Sequence, residues 1–121
     1  MKLIDTNVIL YSYLPEYQYL KEIFVKKEVF VSEITRVEVL GYHKLTTVEE
    51  YYFKDIFNLV SVIFPSQPIF DEAIIVRRKY NLKLGDSLIA ATALVHNLEV
   101  CTRNLKDFEK IANLHCFNPV T

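Results

Sequence analysis

The run Lys2-Leu3-Ile4-Asp5-Thr6-Asn7-Val8-Ile9-Leu10 decides the fold. Residues 2–5 read as a short strand whose apolar positions do not alternate with polar ones, the pattern of a strand buried on both faces. Thr6 then reads as the N-cap of a helix whose apolar run begins with Val8, Ile9 and Leu10. A strand buried on both faces needs a cover on each side, and the rest of the chain supplies it. Pro15 ends the first helix and residues 16–27 are expected to form another. Residues 29–31 make a second buried strand, Ser32 caps a helix over about 33–44, and about 47–58 is helical. Residues 60–64 form a third strand closed by Pro65, Pro68 starts a helix reaching Tyr80, and Gly85-Asp86 opens one running to about Asn97. A fourth strand at 99–101, a helical turn after Asn104 and a last strand at 115–117 complete the pattern. Short apolar strands alternating with helices imply the α/β class, here a three-layer α/β/α sandwich with a short central parallel sheet.

Composition agrees with one domain over residues 1–121. The chain is 51% hydrophobic and 24% charged, with a formal net charge of −1. That balance excludes a strongly basic nucleic-acid coat, so any polyanion must be held by a local patch or a metal. Only 2 Gly and 4 Pro occur, about half the usual share, too few for a turn-rich all-β fold. The longest nearly apolar stretch, 88–95, is far short of the roughly 20 residues of a membrane span. No cleavable leader is evident, and a cytoplasmic location without membrane contact is expected. Cys101 and Cys116 are the only cysteines, each among apolar neighbours, and read as small core residues rather than a redox pair.

In an open parallel sheet the ligand site lies at the carboxyl ends of the strands. Asp5 ends the first strand, Ser32 ends the second with Glu38 on the following helix, and Asp86 stands at a helix start. Thr102, Arg103 and Asn104 follow the fourth strand, with Asp107 a turn later. At about 100° per residue, Glu38 falls inside the stripe formed by Ile34, Val37, Gly41 and Leu45, so it is expected to face the sheet and lose hydration. Taken singly, each acid has a plain structural reading: Asp5 and Asp86 as caps, Glu38 as a partner for a buried cation. Together they place three carboxylates from distant segments on one rim, where mutual repulsion favours a divalent cation between them. All-oxygen ligation points to Mg²⁺ or Mn²⁺ rather than zinc, and carboxylate-held Mg²⁺ suits phosphoryl chemistry. His43, His96 and His115 have no metal-ligand spacing, and no phosphate-binding glycine loop is present.

Four segments carry a resemblance. Leu3 to Ile9, Ser32 to Glu38, Gly85 to Ala93 and Cys101 to Phe108 lie in the order of the motifs of PIN domains, and the chain resembles VapC-type toxins of prokaryotic toxin–antitoxin pairs. The resemblance implies an Mg²⁺- or Mn²⁺-dependent endoribonuclease that hydrolyses phosphodiesters with a metal-activated water. Carried over by position, Asp5, Glu38, Asp86 and Asn104 are the catalytic set. Asp5 and Asp86 would be the main metal ligands, and Glu38 would complete the metal's shell or orient the attacking water. Thr6, Thr102 and Asp107 would support them. Many members carry Asp where this chain has Asn104, so one ion is expected rather than two. Arg103, Lys106, Arg77, Arg78 and Lys83 are candidate RNA contacts, although the cluster before Gly85 equally suits a solvated helix end. Tyr11, Tyr13, Tyr17 and Tyr19 suit either base stacking, a partner interface or the core. A VapB-like antitoxin, a homodimer and a structured RNA substrate such as tRNA follow from the resemblance. The competing readings are an inactive PIN-like module that binds RNA or protein, and a small aspartyl phosphatase; the second wants another acid two positions after Asp5, where Asn7 stands.

Overall fold

The computed structural model describes residues 1–121. Five strands form one sheet: β1 (Lys2–Ile4), β2 (Val29–Ser32), β3 (Ser61–Ile63), β4 (Glu99–Cys101) and β5 (Cys116–Phe117). Their order is β3-β2-β1-β4-β5, and every neighbouring pair is parallel. The helices are α1 (Thr6–Ser12), α2 (Lys21–Phe24), α3 (Glu33–Leu40), α4 (Thr47–Leu59), α5 (Gln67–Tyr80), α6 (Leu84–His96) and α7 (Leu105–Phe108).

Successive strand residues feed opposite layers, as the period of two requires. Ile4, Val31 and Cys101 join Val8, Ile9, Val39, Phe53 and Ile56 on one face. Leu3 and Val100 join Val76, Ile89, Ala90 and Phe108 on the other. This is the expected α/β/α sandwich. The fully buried Phe53 and Phe108 each contribute roughly 1.5–3 kcal/mol, one from each side of the sheet.

From β1 the chain steps outward through β2 to β3, then returns across the sheet to β4 and β5. The strand order therefore reverses between β1 and β4, and a crevice opens at their carboxyl ends. Asp5 leaves one of these strands and Thr102 the other.

Several elements depart from the sequence expectations. Residues 16–27 do not form one helix: a 3-10 helix at Pro15–Leu20 precedes the four-residue α2, and Tyr17 leaves helical geometry at φ −117°, ψ 21°. Its ring packs edge-on against Tyr11, so tertiary packing overrides local propensity. The helix after β2 stops at Leu40 rather than near Lys44; Gly41 caps it, where a Cβ would collide with the Val37 carbonyl oxygen. The strands at 60–64 and 115–117 shorten to Ser61–Ile63 and Cys116–Phe117. Asp5, not Thr6, is the N-cap of α1, and α6 starts at Leu84 with Asp86 inside its first turn rather than capping it. Cys101 is buried, whereas Cys116 is only partly so, and both are free.

Candidate active site

Asp5 sits where β1 gives way to α1, with extended backbone at φ −74°, ψ 153°. Its N–H donates to the Cys101 carbonyl at 2.9 Å, which ties it to the end of β4. The carboxylate is 6% exposed. Oδ1 accepts from the Thr6 N–H at 2.8 Å and Oδ2 from the Thr102 hydroxyl at 2.8 Å. Thr102 Oγ1 in turn accepts from the Asn104 N–H at 2.9 Å and from Asn7 Nδ2 at 3.5 Å. Burial still raises the Asp5 carboxyl from 3.8 to about 6, against the lowering influence of its two hydrogen bonds and with the charges of Asp86 and Glu38 adding to the rise.

Glu38 reaches the same place by a different route from the one its helical position suggested. It is exposed, and Thr35 and Val39 form the buried side of α3 while Val37 faces solvent. The stripe containing Glu38 was anchored on Val37 and Gly41, both of which point away from the sheet, so the carboxylate flanks the core instead of entering it. Its Oε1 accepts from the Thr6 hydroxyl at 2.7 Å, and the same hydroxyl lies 3.1 Å from Thr35 Oγ1. Glu38 Oε2 lies 3.4 Å from the point where a Gly85 Cβ would stand, so glycine at the start of α6 lets the carboxylate lie against that helix.

Asp86, in that first helical turn, is half-buried. Burial raises its pKa, the charges of Asp107 and Glu38 raise it further, and nearby Lys83 opposes them. Asp107 enters from α7 and is held by Asn104, whose Nδ2 donates to Asp107 Oδ2 at 2.7 Å. The fold thus brings Asp5, Glu38, Asp86 and Asp107 into one electrostatic neighbourhood from four separate elements, with Thr6, Thr102 and Asn104 bracing them.

No cation pairs with any of these acids. The ion pairs of the molecule are Lys2–Glu99, Arg36–Glu33 and Lys54–Glu50, all elsewhere. An all-oxygen donor set held against its own repulsion suits a hard divalent cation. No group of three or more His, Cys, Asp or Glu side chains stands in metal-holding geometry; what the rim offers suits an ion held by one or two carboxylates that keeps waters in its other positions.

The basic residues divide. Arg103 is exposed beside Thr102, and Lys83 is near enough to Asp86 to influence it. Arg77 and Arg78 occupy the last turn of α5, and they and Lys106 are exposed and in no ion pair. Tyr11, Tyr13 and Tyr17 are half-buried and Tyr19 exposed, with Tyr13 packed on Tyr52 and Phe53. Sequence reasoning missed Asn7, which bonds both Thr102 and the Arg103 N–H (3.2 Å), and Thr35. The one available signal was position: Asn7 follows Asp5-Thr6 directly, and Thr35 lies one turn before Glu38.

The family model for the PIN domain matches residues 2–114. No curated protein matches the sequence. Among solved structures, a chain of a toxin–antitoxin complex from Klebsiella pneumoniae is 34% identical, with 94% of this chain and 95% of that one covered and a TM-score of 0.77. FitAcB from Neisseria gonorrhoeae matches at 27% identity, 98% coverage of both chains and a TM-score of 0.79. DNA-bound VapBC from Salmonella typhimurium matches at 19% identity, 97% and 96% coverage and a TM-score of 0.83, a likeness of fold.

Proposed function

The chain belongs to the PIN domain family, and from that premise we propose that it is an Mg²⁺- or Mn²⁺-dependent endoribonuclease, the toxin of a toxin–antitoxin pair. The observation that carries this reading is the convergence of Asp5, Glu38, Asp86 and Asp107 at the strand-order reversal, with no ion pair to any of them and only Lys83 near enough to oppose the charge at Asp86. Such a site is poor at holding substrate phosphate unaided and suited to holding an ion that attracts it.

Asp5 and Asp86 would hold the ion, with Glu38 completing its shell or orienting the water. One ion rather than two fits the amide at Asn104. When bound, a divalent cation supplies water of lowered pKa and neutralises charge on the phosphate. The chain's own side chains prepare that step. Thr102 and the Thr6 N–H each occupy one Asp5 oxygen from the protein side, which fixes the carboxylate plane and leaves the outward lone pairs for a ligand. The Thr6 hydroxyl anchors Glu38 at Oε1, leaving Oε2 as the free acceptor for a water proton. Asn104 brings no charge but turns Asp107 toward Asp86.

The toxin reading draws on the Klebsiella toxin–antitoxin complex and the FitAcB structure. It implies a VapB-like antitoxin, a homodimer and a structured RNA substrate such as tRNA. The decisive experiment incubates total RNA with wild type, Asp5→Ala and Asp86→Asn, with and without Mg²⁺. Cleavage is expected only for wild type with metal, each variant losing at least about 100-fold while keeping its far-ultraviolet circular dichroism. Cleavage by the variants at the wild-type rate would refute the assignment. Asn104 is the one feature favouring an inactive binding module; wild-type protein that binds RNA yet neither takes up millimolar Mn²⁺ nor cleaves would establish that alternative.

A further inference from the structure

Arg103 follows Thr102, whose hydroxyl bonds Asp5, and so stands at the edge of the acidic site. A flexible guanidinium in that place would ordinarily fold onto the acids and neutralise them. It does not: Arg103 makes no ion pair. Helix α1 holds it instead. Asn7 Oδ1 accepts the Arg103 backbone N–H at 3.2 Å, and one turn further along the same helix face the Tyr11 ring lies under the guanidinium, 4.9 Å from Cζ to centroid. Tyr17 packs edge-on against Tyr11 at 5.1 Å and 88°, which fixes the ring. The spacing of Asn7 and Tyr11, four residues apart, is what lets one helix grip both ends of the arginine.

We infer that Asn7 and Tyr11 form a cradle that holds Arg103 ready to bind a phosphodiester of the RNA substrate near the one being cut. The guanidinium is exposed, fully charged and restrained, so it loses little freedom on binding a phosphate. Keeping it off the acids serves two ends: the carboxylates stay free for a metal, and the cation stays free for the substrate. Tyr11 acts through Arg103 and is a positioning residue. The inference rests on the nuclease reading and narrows it to one subsite.

The test measures binding of a fluorescent single-stranded RNA oligonucleotide in EDTA, where the metal-dependent cleavage proposed above does not proceed, across a salt series, alongside cleavage of the natural RNA with Mg²⁺. Arg103→Ala should weaken binding about tenfold and make the plot of log affinity against log salt shallower by about 0.7, the loss of one phosphate contact on a single strand. Tyr11→Leu, which keeps apolar bulk but removes the aromatic face, should weaken binding a few-fold, and Tyr11→Phe should restore it. Wild type that binds and cleaves RNA while Arg103→Ala keeps its affinity and salt slope overturns the cradle alone. Equal loss in Tyr11→Leu and Tyr11→Phe overturns the role of the ring. Wild type that shows no affinity for RNA overturns the nuclease reading and the cradle with it.

Discussion

Asp5 binds a proton more readily in the folded chain than in the unfolded one, since its carboxyl rises from 3.8 to about 6 on burial. Between those values the folded state carries the extra proton, so stability of the ion-free protein is greatest below the lower value and falls as pH climbs through the window. The total loss is roughly 3 kcal/mol. Asp5→Asn keeps an N-cap and removes the charge. It should raise the stability of the protein in EDTA by about 1–3 kcal/mol at pH 7.5 and leave it nearly unchanged at about pH 2.5, where the wild-type carboxyl is protonated in both states. Chemical unfolding at the two pH values checks this, and a variant no more stable than wild type at pH 7.5 would move the strain to Asp86. The place of Asp5 at the end of β1 was legible because an acid rarely interrupts an apolar strand, but the sequence could not separate a site role from the capping role the structure shows. Glu38 was found by its position, but for a mistaken reason, since the helix packs through Thr35 and Val39. Asn7 and the Tyr11 ring were illegible because their partner, Arg103, lies more than ninety residues away and nothing local records the contact.

The start of α6 shows what one element must reconcile. Gly85 is in its first turn, takes no positive φ, and a Cβ there would meet only Glu38. Glycine in a helix costs roughly 0.5–1 kcal/mol relative to alanine, and here the bare backbone makes room for a carboxylate. Gly85→Ala should therefore gain up to about 1 kcal/mol in unfolding free energy, and with its Cβ in ordinary contact with Glu38 Oε2 at 3.4 Å, RNA cleavage should stay within about twofold of wild type. A several-fold loss of cleavage would mean that the position of Glu38 has no slack. Most elements were legible from caps and breakers, as with Ser32, which caps α3, Pro65, which follows β3, and Pro68, which lies in the first turn of α5. The segment 15–24 was not, because aromatic packing between Tyr11 and Tyr17 decides its path rather than any residue's own preference.

At the scale of the whole molecule, the exposed Phe70, Ile74 and Leu84 of α5 and α6 surround a groove floored by Ala73 and Leu88. The proposed homodimer would find an apolar surface here, and the charges of α5 suit a second copy of the chain. The helix carries Asp71 and Glu72 in its first half and Arg77, Arg78 and Lys79 in its last turn. Two copies packed antiparallel about a twofold axis would set each acidic half against the other's basic end while burying Phe70 and Ile74 between them. The homodimer should therefore form through α5, and Ile74→Glu, which puts two carboxylates into the seam without touching either core, should yield a stable monomer. Sedimentation velocity at tens of micromolar distinguishes the cases: a wild-type monomer would refute self-association. A dimer that survives both Ile74→Glu and Phe70→Glu would place its interface on another face, such as the α1–α4 groove lined by Leu10, Leu14 and Phe53. That groove includes Tyr11, so a partner seated there would press on the ring that holds Arg103 and couple association to the grip on RNA.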